Sequence, residues 1–141
     1  MNGYRVLVAD DDPTFLRLLS RAIKGRFEVR EVESGEFYWS AFVKRAKDPL
    51  VGFFGQRPEL LKALAVEVDG REGHEAGDAS VIVRAFPRVE FLLVLWAGDD
   101  EFPADGNVLM DRNIGHYLST EDVALAAGLP IYKMMAMARR G

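Results

Sequence analysis

The spacing of apolar residues changes period several times along the chain, and each change marks an element. Arg5 to Ala9 is a short aliphatic and β-branched run that stops at Asp10, Asp11 and Asp12, ahead of Pro13. This pattern predicts a buried strand entering a helix. A carboxylate at Asp12 can accept the free N–H groups of the first turn, and Pro13 has no N–H to lose there. Phe15, Leu18, Leu19, Ala22 and Ile23 then recur at helical spacing until Gly25, and Phe27 to Val32 alternates as a strand with one wet face does. Residues 5 to 32 thus read as a β-α-β unit.

From Glu36 to Lys47 and from Pro58 to Val68 the spacing predicts two helices, with an apolar, glycine-broken stretch (PLVGFFGQR) between them. Residues 69 to 78 hold three glycines and little to bury, so they are expected to form a loop. Two apolar runs follow, Ala79 to Phe86 and Val89 to Trp96, separated by Pro87 and Arg88 alone. A parallel return needs about a dozen residues, so this link predicts an antiparallel hairpin. Gly98 to Gly106 is acidic and turn-rich, and Val108 to Met110 is a candidate short strand. Ser119 or Thr120 can cap a helix through Ala127, with Gly128 as its stop and Pro130 as the start of a last, methionine-rich element. The expectation is an α+β fold: a β-α-β opening and a hairpin in a mixed sheet packed by helices.

With 141 residues and no linker or internal repeat, the chain reads as a single domain. Its longest apolar run, Phe91 to Ala97, is too short to cross a bilayer, and charged residues near the start leave no signal-peptide pattern, so a cytoplasmic location without membrane association is expected. A net charge of -4 disfavours nucleic acid, which leaves a protein partner or a small ligand. The absence of cysteine excludes disulfides, thiolate metal sites and a cysteine nucleophile.

Two groups of residues could carry chemistry. Asp99, Asp100 and Glu101, directly after an apolar strand, could converge with Asp111 on magnesium or another divalent cation, and Asp10 and Asp11 could do the same after the first strand. The competing structural reading makes GDDEFP a polar turn with Phe102 as a buried peg. Trp96, Phe102, His116, Tyr117 and Asp122 are candidates for a ligand pocket, although Glu121 and Asp122 also suit the first turn of a helix through their charge. His74, in the glycine-rich loop, and His116 are the two histidines. No serine–histidine–acid series, phosphate-cradling glycine loop or HExxH pattern is present.

The opening RVLVADDDPTFLRLLSRAIKGRFEVREVESGE resembles the first third of a response-regulator receiver domain. That resemblance implies a flavodoxin-like α/β alternative, signal transduction, and a magnesium site at Asp10 and Asp11. Laying DPLVGFFGQRP against the family's third strand puts Phe54 in place of the phosphoacceptor aspartate. The family's hydroxyl residue falls near Trp96, and Thr120 and Glu121 replace its lysine and proline. The second half resembles domain of unknown function 3786, an uncharacterised prokaryotic family seen mostly in anaerobic bacteria and archaea, over about Glu36 to Tyr132. The pieces are Gly77-Asp78, Phe86-Pro87-Arg88, Trp96 with Gly98-Asp99-Asp100-Glu101-Phe102-Pro103, Leu109 with Asp111, and Tyr117-Leu118 with Thr120-Glu121-Asp122. It implies no reaction; some relatives neighbour corrinoid or iron–sulfur proteins, which makes an accessory role one expectation. The resulting reading is a non-catalytic ligand-binding or regulatory module, with a carboxylate metal-binding protein as the alternative.

Overall fold

A computed structural model describes residues 5–9, 28–32, 42–73, 76–111 and 114–141. Six strands form one sheet: β1 (Arg5–Ala9), β2 (Glu28–Val32), β3 (Arg71–Gly73), β4 (Ala79–Phe86), β5 (Val89–Trp96) and β6 (Asp105–Asp111). Their spatial order is β2-β1-β6-β5-β4-β3. β1 and β2 are parallel, the pairing a β-α-β connection gives, and every other neighbouring pair is antiparallel. Three α-helices, α1 (Asp48–Phe54), α2 (Pro58–Glu67) and α3 (Thr120–Arg140), make the described architecture mixed α+β. The helix expected between the first two strands, and the stretch from Glu36 to Ala41, lie outside the described residues.

The β4–β5 hairpin forms as the short link requires. Val81 faces Leu93, Val83 faces Phe91, and Phe86 pairs with Val89 across Pro87 and Arg88. A two-residue link leaves no room for a crossover helix, so the flavodoxin-like alternative does not hold over residues 79–96. Val81, Val83, Phe91, Leu93, Leu95 and Val108 turn to one face of the sheet and form a core with Phe42, Leu50, Phe54, Leu61, Ile131 and Met134. Ile82, Leu92, Val94 and Leu109 alternate onto the other face and are buried as well, together with Ser80 and Asn107. Burial on both faces explains why β4 and β5 read as near-continuous apolar runs.

Four expectations need correction. The stretch around PLVGFFGQR is helical: a π-helical turn at Val43–Lys47 leads directly into α1, and Pro49 occupies its first turn. Phe54 is therefore a fully buried core residue packed edge-on against Phe53, not the end of a third strand. The supposed stop at Gly128 and start at Pro130 are both interior to α3, which runs unbroken to Arg140. A Cβ at Gly128 would overlap the Arg45 carbonyl oxygen, so this glycine lets α3 press against the π-helical turn and does not end a helix. Finally, Arg71–Gly73 of the expected loop is an edge strand paired with β4. No helix among the described residues is long and apolar enough to cross a membrane.

Candidate functional site

The two ends of the sheet divide the residues singled out from the sequence. At one end, β5 finishes at Trp96 and β6 begins at Asp105, and these two residues pair. Two Gly-Asp steps hold the backbone here. Gly77 adopts a positive φ of 74°, where a side chain is strained, and a Cβ there would also press on the Leu95 carbonyl. Asp78 then donates its N–H to the Leu95 carbonyl at 2.8 Å and accepts the Ala97 N–H on its carboxylate at 2.7 Å. Gly98 donates to the Gly55 carbonyl at 3.1 Å, which ties the end of β5 to the end of α1. Asp99 closes the next turn: its Oδ1 accepts the N–H groups of Glu101 and Phe102, each at 2.8 Å. The bonds from Phe102 and Glu101 hold the Asp99 carboxyl below the usual carboxylate range.

Asp100 and Glu101 are exposed at this turn, and Asp105 pairs with Lys47 at 3.6 Å. Phe102 is 68% exposed, so it is not the buried peg that its place in the turn suggested. Trp96 is half-buried and, alternating with Leu95, lies on the sheet face away from the described helices. Asp111 lies at the opposite end of β6, about 20 Å away by strand rise. It cannot share an ion with Asp99, Asp100 and Glu101. Among the described residues, no three carboxylate or imidazole side chains gather as a metal site would require. Asp10, Asp11 and His74 lie outside the described residues.

Asp111 and residues 114–122 occupy the second end. Asp111 is followed by a 3-10 turn, Ile114–His116, and exposed Tyr117 donates its N–H to the Ile114 carbonyl at 3.0 Å. His116 is exposed on this turn. Ser119 caps α3: its Oγ accepts the Asp122 N–H at 3.2 Å and donates to the Asp122 carboxylate at 2.9 Å. Asp122 therefore serves the cap and the helix dipole. The five proposed pocket residues do not meet, since Trp96 and Phe102 stand at one end of the sheet and His116 and Tyr117 at the other.

The structure instead forms a cavity of about 120 Å³ lined by Arg88, Val89, Glu90, Asp111, Ile114 and Tyr117. The hairpin brings Arg88, at its tip, beside the end of β6. Glu90 in its wall pairs with Arg71 at 3.0 Å and Arg84 at 3.8 Å. Sequence reasoning singled out Asp111 and Tyr117 as site candidates, named Arg88 only as part of the hairpin link and of the family resemblance, and did not reach Glu90 or Ile114. The predicted hairpin held the missing signal, because it fixes position 88 as the turn.

A larger polar cavity, about 300 Å³, lies on the β3 flank and includes Lys62, Glu72, Gly77, Asp78 and Ser80. Lys62 donates to Glu59 at 3.1 Å and lies 3.8 Å from Glu72. The Glu59 bond, with the attraction of both carboxylates, raises its pKa above the ordinary lysine value.

A family model described as a domain of unknown function, DUF3786, matches residues 24–133. It begins ahead of Glu36, takes in β2 and the described elements that follow, and ends within α3. No curated protein and no solved structure matches the chain.

Proposed function

The chain belongs to the DUF3786 family, and on that footing we propose that it is a non-catalytic binding module whose ligand seat is the cavity at Arg88, Asp111 and Tyr117. The observation that carries this reading is the convergence of three residues of the family resemblance on one cavity. Gly77, Asp78, Gly98 and Asp99 are engaged in holding turns and strand ends. Arg88, Asp111 and Tyr117 come from three separate segments and line one cavity.

The lining defines the ligand class. Arg88 offers a fork of donors suited to a carboxylate or similar anion, Asp111 offers an acceptor to an ammonium, and Tyr117 offers a hydroxyl. The volume suits a molecule of few heavy atoms. A small zwitterion of amino-acid size meets these conditions. This reading does not draw on the receiver comparison, since α1 occupies the place of that family's third strand.

A titration of the 15N-labelled protein with free amino acids, with matched simple amines and carboxylates as single-charge probes, tests it. Saturable shifts at the amides of Arg88, Asp111 and Tyr117 are expected. Arg88→Ala or Asp111→Asn should weaken binding about tenfold, as the loss of one charge-assisted hydrogen bond does. Shifts confined to the Lys62 cavity, or none at all, would defeat the assignment.

A further inference from the structure

The outer face of α3 carries a second pattern that the cavity does not explain. Val123, Ala124, Ala127, Ile131 and Met134 face the core, while Asp122, Leu125, Leu129, Tyr132, Ala136 and Arg139 are all exposed. The exposed six are spaced alternately three and four residues apart, and so form one stripe along the helix. Leu125 is 52%, Leu129 44% and Tyr132 50% exposed. A solvated helix face has no need of three large apolar side chains in line.

We infer that this stripe is a self-association seam at which α3 of a second copy of the chain packs antiparallel to the first. The sequence of the helix is complementary to its own reverse. A two-fold axis between Pro130 and Ile131 sets Leu129 opposite Tyr132, Leu125 opposite Ala136, and Asp122 opposite Arg139. The Leu125 pairing sets a large side chain against a small one, which leaves room for the leucine as the two helices close. The same axis brings Glu121 to Arg140, so each acidic first turn meets a basic last turn. The charges decide the direction, because a parallel pair would place Asp122 against Asp122 and Arg139 against Arg139. Asp122 keeps its bond to Ser119, and the Arg139 guanidinium lies 5.6 Å from the Phe53 ring, so both end charges start from held positions. The inference is independent of the ligand cavity, which lies at the hairpin tip.

Sedimentation equilibrium of the full chain over a range of concentrations is the test. A monomer–dimer equilibrium is expected. Leu129→Glu should abolish it with the melting transition preserved, since that side chain is exposed. Arg139→Glu should raise the dimer Kd by about tenfold or more, and adding Asp122→Lys should bring it back toward the wild-type value. A wild-type chain that stays monomeric overturns the inference, including the case in which hydrogen exchange finds the stripe protected by the chain itself. So does a dimer indifferent to Leu129→Glu or to the charge exchange.

Discussion

Asp99 illustrates how a carboxylate that looks like a ligand becomes a piece of backbone. An aspartate shortly past a strand end is free to bend onto the N–H groups two and three positions ahead, and here it does so at 2.8 Å to each. The same bonds set its pH response. Its carboxyl titrates below the ordinary value in the folded chain. Its stabilising contribution is therefore complete above the unfolded value, near pH 4, and fades as the pH falls through the lower folded value. Asn keeps an acceptor oxygen for both N–H groups but does not titrate. The Asp99→Asn variant should show a shallower fall in melting temperature than wild type as the pH drops below about 4. Parallel acid limbs for the two proteins would show that the turn does not depend on this charge. The neighbouring pattern was legible as a turn from GDDEFP, but not the use of the carboxylate, since adjacent aspartates read equally well as cation ligands.

At the level of elements, the hairpin was readable and the helices were readable only in part, for one reason. A link of two residues between apolar runs admits almost one geometry, whereas glycine and proline take their meaning from what packs beside them. Pro49 cannot offer an N–H to the carbonyl of Arg45 four residues back, and that carbonyl sits at Gly128 of α3. The helix joint thus uses the proline, the π-helical turn and the glycine together, and nothing local to residues 119–130 could reveal it. Gly52 is the contrasting case: it lies in α1, exposed, with open space where a Cβ would stand. Gly52→Ala should stabilise the chain by about 0.5–1 kcal/mol through helix propensity. Gly128→Ala gains the same propensity but forces α3 off the Arg45 carbonyl, so a net loss of about 1–3 kcal/mol is expected. Urea unfolding of the two variants measures both signs. If both glycines respond alike, the close approach does not govern the joint.

For the whole molecule, the governing feature is that the strands β4, β5 and β6 are buried on both faces of the sheet. Leu93 points into the core shared with the helices and Leu109 points away from it, yet both are fully buried. On a sheet with one wet face, truncating the outer leucine would remove little, because its methyl groups would already meet water. Here each truncation strips a buried side chain of its contacts and leaves a void. Leu93→Ala and Leu109→Ala should therefore each cost about 2–5 kcal/mol. Against a total stability of about 5–15 kcal/mol, either loss is a large fraction, and both variants should unfold at clearly lower urea concentration. Equality of the two losses is the informative result. A Leu109→Ala cost well under about 1 kcal/mol beside a large Leu93→Ala cost would mean that the second face is open to solvent, and the sheet would then depend on its helical side alone.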